Sequence, residues 1–190
     1  MLRINGSLIK TGNSLLTISG TTPVPGYSRF MLKISGFYTP QMWQNPQRYI
    51  QWDEVGVGWN GLGPFYGPDY WSIESYGLHD ATDWGDRTGT IRYLFDGYWG
   101  DAGGYNSKFD ATYNEGCENT WYGEVIFTSL NGPIEPDSMG FYAPLNIQSH
   151  PQVPGLFELY GWDGAAWVLI TSVNGNQLTL INNECTVITF

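Results

Sequence analysis

The chain has 190 residues, a formal net charge of −10, only 14% charged residues, and an excess of glycine, tryptophan and tyrosine. That is the composition of a β-protein of one domain, or of one domain with an arm. No run of 18 apolar residues is present to span a membrane, and the N-terminus lacks the apolar core of a secretory signal, so a mature chain starting at Met1 is expected. All eight Lys and Arg precede residue 109, and the rest holds nine acids and no base. Such a half-chain repels phosphate backbones and anionic headgroups, which argues against nucleic acid and membrane insertion; solubility alone is the competing explanation.

Three short alternating patterns open the chain: Leu2-x-Ile4-x-Gly6, Leu16-x-Ile18-x-Gly20 and Leu32-x-Ile34-x-Gly36. Each reads as a strand ending in a glycine turn, and Gly12-Asn13 is the turn signal between the first two. Residues 1–20 are therefore expected to form a hairpin arm that must dock on a partner or on its own sandwich. The alternative is two further strands of that sandwich. Pro23 and Pro25 in Thr22-Pro23-Val24-Pro25-Gly26 mark a hinge, because proline fixes φ and removes a ladder donor. This divides the chain into an arm with its hinge, residues 1–25, and a sandwich, residues 26–190.

Strands are expected over residues 29–37, 49–55 and 71–76. Between the last two runs a glycine-rich stretch in which Gly56, Gly58 and Gly61 spell G-x-G-x-x-G. A dinucleotide site needs a helix to begin there, and Gly63, Pro64, Gly67 and Pro68 forbid one. What remains is a long aromatic loop too rich in glycine to enter the core. Its Trp59, Phe65, Tyr66, Tyr70 and Trp71 are the candidate ligand-binding residues, since flat aromatic faces stack on the C–H faces of sugars. The competing reading makes some of them a lid on the sandwich end.

An acidic loop, His79-Asp80-Ala81-Thr82-Asp83-Trp84-Gly85-Asp86, is a possible calcium binder whose spacing departs from the EF-hand. No hydrolase, zinc-protease or phosphate-loop motif is present, so no enzyme is expected. Carboxylate pairs such as Asp53 with Glu54, or Glu115 with Glu118, could serve glycoside hydrolysis, but eighteen acids supply such pairs by chance. Cys117 and Cys185 allow one bridge without defining a disulfide framework or a metal-ligand spacing. The clearest element comes late: residues 156–160 and 167–170 flank Trp162-Asp163-Gly164 as a hairpin, with Trp167 expected in the core.

Phe157, Leu159, Gly161, Asp163, Gly164 and Trp167 follow, compressed by about a residue, the F-x-L-x-G-x-[DN]-G-x-x-W segment of discoidin-type domains, relatives of family-32 carbohydrate-binding modules. Leu94-Phe95-Asp96-Gly97 resembles the A-F-D-G that opens that family's first sandwich strands. Trp121 to Phe127 resembles its W-I-x-[IV]-D-[LF] strand. Residues 49–55 with 71–76 resemble paired strands that close such modules in phage tail proteins, and the N-terminal arm resembles those of phage virion proteins.

The resemblance implies an all-β fold, a jelly-roll-like, galactose-binding-like β-sandwich behind an N-terminal β-hairpin arm. It also implies a structural calcium at Asp96, with Asp101 replacing a ligand whose place Tyr98 occupies. The function implied is that of a non-enzymatic bacteriophage virion surface protein. It would be anchored to other virion proteins through residues 1–22, homo-oligomeric in the particle, and able to bind a cell-surface glycan. The alternatives are a purely structural joining or decoration protein, and a carbohydrate-binding module of a bacterial cell surface.

Overall fold

The computed structural model describes residues 2–4, 7–9, 26–37, 49–83, 91–98, 109–113, 120–142, 154–178 and 184–190. Among them are fourteen strands and two short 3-10 turns, with no α-helix. Among the described residues no helix is long and apolar enough to cross a membrane. The chain is all-β, and its two larger sheets are antiparallel.

The first sheet has the order β13-β12-β3-β10-β7, with β3 (Arg29–Phe37) at its centre. Its neighbours are β10 (Tyr122–Ser129) and β12 (Pro154–Trp162), flanked by β7 (Trp71–His79) and β13 (Trp167–Asn174). Alternation drives the burial here. Phe30, Leu32 and Ile34 of β3, Val125 and Phe127 of β10, and Phe157 and Leu159 of β12 have no exposed surface. Each such side chain contributes about 1.5–3 kcal/mol by leaving water.

The second sheet has the order β14-β11-β5-β6, comprising β14 (Cys185–Thr189), β11 (Pro136–Tyr142), β5 (Glu54–Trp59) and β6 (Pro64–Phe65). It meets the first through Phe141 against Phe157, with ring centroids 4.8 Å apart, and through Trp59 against Trp71 at 5.8 Å. A smaller sheet joins β4 (Tyr49–Trp52), β9 (Phe109–Tyr113) and β8 (Ala81–Asp83). At the N-terminus, β1 (Leu2–Ile4) pairs with β2 (Ser7–Ile9), a pairing nearer to the chain start than the one expected about Gly12-Asn13. Residues 10–25, with the second repeat and the proline hinge, lie outside the described residues.

Several expectations require correction. The run 49–55 is two strands, since the chain leaves one sheet for another at Asp53, whose N–H donates to Tyr142 O at 3.3 Å. Residues 71–76 do not pair with it; β7 pairs with β10. The stretch 56–70 is no loop. Residues up to Phe65 belong to the β5–β6 hairpin, turned at Asn60 and Gly61, both at positive φ (58° and 66°), with Leu62 N–H donating to Trp59 O at 3.1 Å, and a tight turn from Gly67 to Tyr70 leads into β7. Asn-Gly is the residue pair that such a mirror-image turn demands. The Phe95-Asp96-Gly97 motif ends a 3-10 turn, Ile91–Phe95, rather than opening a strand. The late hairpin pairs as expected, Trp162 facing Trp167 across residues 163–166, but Trp167 is half-buried on the sheet's outer side and not in the core, contrary to the expectation.

Candidate functional site

β5 is buried on both faces, which explains its glycines. Val55, Val57 and Trp59 point between the two sheets, while Glu54, Gly56 and Gly58 point the other way and are covered as well. A Cβ on Gly56 would lie 2.7 Å from the Tyr66 ring, and one on Gly140 of the neighbouring strand would overlap Tyr66 Oη and Pro64. The glycines thus form a shelf on which the chain from Pro64 to Tyr66 lies flat.

Four of the five candidate aromatics consequently converge, but inward, while Tyr66 lies on the other face of the sheet over Gly56 and Gly140. Trp59 sits 4.2 Å from Phe65 and 6.5 Å from Tyr70, and Phe65 lies 4.8 Å from Tyr70. Trp71 packs edge-on against Trp59, Phe30 and Phe127, and its Nε1–H donates to Phe65 O at 2.9 Å. Trp59 is 9% exposed and Trp71 2%, so both are core residues, contrary to the expectation for a glycine-rich loop. Phe65 and Tyr70 are half-buried against that core. Tyr66, also half-buried, places its hydroxyl 2.7 Å from Sγ of Cys185, an exposed free thiol. Burial is the main reason its phenol is held above the ordinary range. Cys117 lies outside the described residues.

Beside Tyr66 the Asp96 turn meets β5. Gly67 and Gly97, both at positive φ, pass so closely that a Cβ on Gly67 would come within 2.8 Å of Gly97 Cα. Glu54, fully enclosed, accepts from Gly97 N–H through Oε1 at 3.1 Å. Burial first and the Asp96 charge second push its carboxyl up to about 10, so Glu54 keeps its proton at neutral pH. Burial raises Asp96 too, and its Oδ1 accepts from Tyr98 N–H at 2.9 Å. Of the two calcium ligands that the resemblance implies, Asp96 stands in this turn and Asp101 lies outside the described residues. Among the described residues no three His, Cys, Asp or Glu converge as a metal centre. In the acidic loop, His79 stacks on Tyr122 at 4.2 Å and Asp80 accepts from Thr120 Oγ1 at 3.1 Å.

A cleft of about 520 Å³ opens where Trp71 and Asp96 come closest to the surface. Trp71, Ile73, Tyr93, Phe95 and Leu130 give it apolar walls, and Arg92 and Asp96 supply its charged groups. Arg92 is held in place: its guanidinium lies over the rings of Tyr93 and Tyr76, at 4.9 and 5.6 Å. It also donates to both hydroxyls, at 3.1 and 3.2 Å. Tyr76 and Leu130 are 46% and 56% exposed, unusual for side chains of this size. A second, more polar hollow of about 500 Å³ takes in Trp59, Asn60, Asn131 and Glu135.

Of the predicted site residues, the first cleft brings together Trp71 and Asp96, and adds Arg92 and Tyr93, which stand immediately before the Leu94-Phe95-Asp96-Gly97 motif. Chemically, the cleft offers aromatic and aliphatic surface for C–H faces and a fixed guanidinium fork beside a carboxyl for hydroxyl groups. No family model, curated protein or solved structure matches the chain.

Proposed function

We propose that this chain is a non-enzymatic carbohydrate-binding β-sandwich of the discoidin, galactose-binding-like type, and that it recognises glycan in the cleft between Trp71, Tyr93 and Leu130. The observation that carries the reading is the composition of that cleft: apolar walls around one preset Arg92 and one carboxyl. A sugar ring needs that mixture, an apolar face to stack on and a few directed polar groups. The carboxyl pair is not read as catalytic, because Glu54 is fully enclosed and reaches no substrate. A structural calcium at Asp96 belongs to the same proposal and rests on the sequence resemblance. The jelly-roll topology, the docking of residues 1–22 on other virion proteins and the setting on a phage particle rest on the sequence resemblance.

The test is a glycan array probed with the wild-type chain, Tyr93→Ala and Arg92→Ala. A signal that both variants lose, while melting at the wild-type temperature, supports the reading. Silence of the wild type across the array favours a structural joining protein.

A further inference from the structure

An open sheet edge is a template for another chain, and folds blunt such edges with shortness, charge, proline or a bulge. The two larger sheets end in β13, β7, β14 and β6 among the described residues. β6 is two residues long and begins with Pro64. β7 carries Glu74 and is bulged against β10, and β13 is bulged against β12. β14 has none of these guards. Its sequence, Cys-Thr-Val-Ile-Thr, holds no charge and no proline, and its register with β11 runs unbroken over five pairs, from Tyr142↔Cys185 to Ser138↔Thr189.

The direction of its free backbone groups follows from one bond. Phe190 N–H donates to Asp137 O at 3.0 Å, extending the ladder by a hydrogen-bonded pair. Bonded and non-bonded pairs alternate in antiparallel sheets, so Ile188 and Thr186 also address β11. The N–H and C=O groups of Cys185, Val187 and Thr189 therefore point to the open side. The side chains of those three residues are exposed, Val187 by 47%.

We propose that two copies of this chain join here, β14 against β14, antiparallel about a two-fold axis centred on Val187. A second copy fits this edge because, laid antiparallel about Val187, the outward N–H and C=O groups of Cys185, Val187 and Thr189 meet their own counterparts, and charge does not oppose the contact. Copies of a chain with net charge −10 and no base after residue 108 repel wherever acidic surfaces meet. From Gly164 to Phe190, however, Glu184 is the sole charged residue. In this register Val187 faces itself and Cys185 faces Thr189, while Glu184 falls opposite Phe190 and not opposite its own copy. Such a contact is isologous and closed, and it would make one continuous sheet of the two four-stranded ones.

Sedimentation equilibrium of the full chain in reducing buffer, from about 1 to 100 µM, reads the result by mass action. The wild type is expected to reach twice 21.3 kDa. Val187→Lys, which sets like charges against each other, and Val187→Pro, which removes only an outward N–H, are expected to stay at 21.3 kDa with wild-type melting; Val187→Thr is expected to dimerise. A wild type that remains at the single mass, or a Val187→Lys chain that doubles it, overturns the proposal. Should both disruptive variants fail to fold, amide exchange of the wild type decides. Slowing of the Val187 and Thr189 amides with concentration supports the pairing, and unchanged rates overturn it.

Discussion

The β12–β13 hairpin and the β5–β6 hairpin are both glycine-containing, tryptophan-rich turns of strand, yet they bury their aromatics in opposite ways. In the first, residues 163–166 project into solvent, Asp163 Oδ1 accepts from Ala165 and Ala166 N–H, and Trp162 and Trp167 pack on each other on an open face beneath Arg29. In the second, Gly56 and Gly58 lie within the strand and its tryptophan, Trp59, faces inward against Trp71 of β7. Glycine at a turn and glycine in a strand are the same letter with different uses. At Gly164 it supplies a positive φ of 102° in open space; at Gly58 it leaves room for the backbone of Gly63.

The largest test of this contrast is Trp71→Ala. Removing an indole that is 2% exposed should cost about 3–5 kcal/mol, and Trp59→Ala a similar amount, both measured by denaturant unfolding. A loss below about 1 kcal/mol at both sites would return the rings to the surface, the range of a change that disturbs no packing. Next comes Gly58→Ala, whose methyl would run into Ser138 Oγ and the Gly63 backbone; about 3 kcal/mol is expected from that overpacking. Trp167→Ala should cost only about 1–2 kcal/mol, because the ring is half-buried and loses mainly its contacts with Trp162 and Arg29. Equal losses at Trp167 and Trp71 would erase the distinction between the two hairpins.

A further effect is one of pH. Folded Glu54 keeps its proton up to about 10, whereas the unfolded chain releases it near 4.5. Between those values the folded state binds more protons, so stability falls as pH rises. Glu54→Gln keeps an acceptor for Gly97 N–H and removes that titration. In chelating buffer its melting temperature should therefore drop less between pH 5 and pH 9 than that of the wild type. Parallel profiles would mean that Glu54 is ionised in the folded protein.

The contrast also explains what could be read from the sequence. β3, β10 and the late hairpin were legible because each buries one face and alternates large with polar residues, with Asp163-Gly164 as a turn signal between two runs. β5 was not, because both of its faces are buried, and burial on the second face requires small residues that resemble loop composition. Asn60-Gly61 held the missing turn signal. Glu54 was singled out only as half of a chance pair with Asp53, because nothing local distinguishes a protonated, enclosed acid from the other seventeen; its state is set first by burial and second by Asp96, far away in sequence. Asp96 and Trp71 were recognised, but Arg92 and Tyr93 reach the cleft through a 3-10 turn whose five residues give no periodicity to detect.

The proposed site is tested most directly by following the indole N–H signals of the nine tryptophans by NMR while titrating a glycan drawn from the array. Trp71 borders the cleft and holds Phe65 O, whereas Trp162 and Trp167 lie on the far face of the β12–β13 hairpin. Binding in the cleft predicts a saturable shift of the Trp71 signal with Trp162 and Trp167 unmoved; shifts confined to Trp162 and Trp167 would place recognition elsewhere and contradict it.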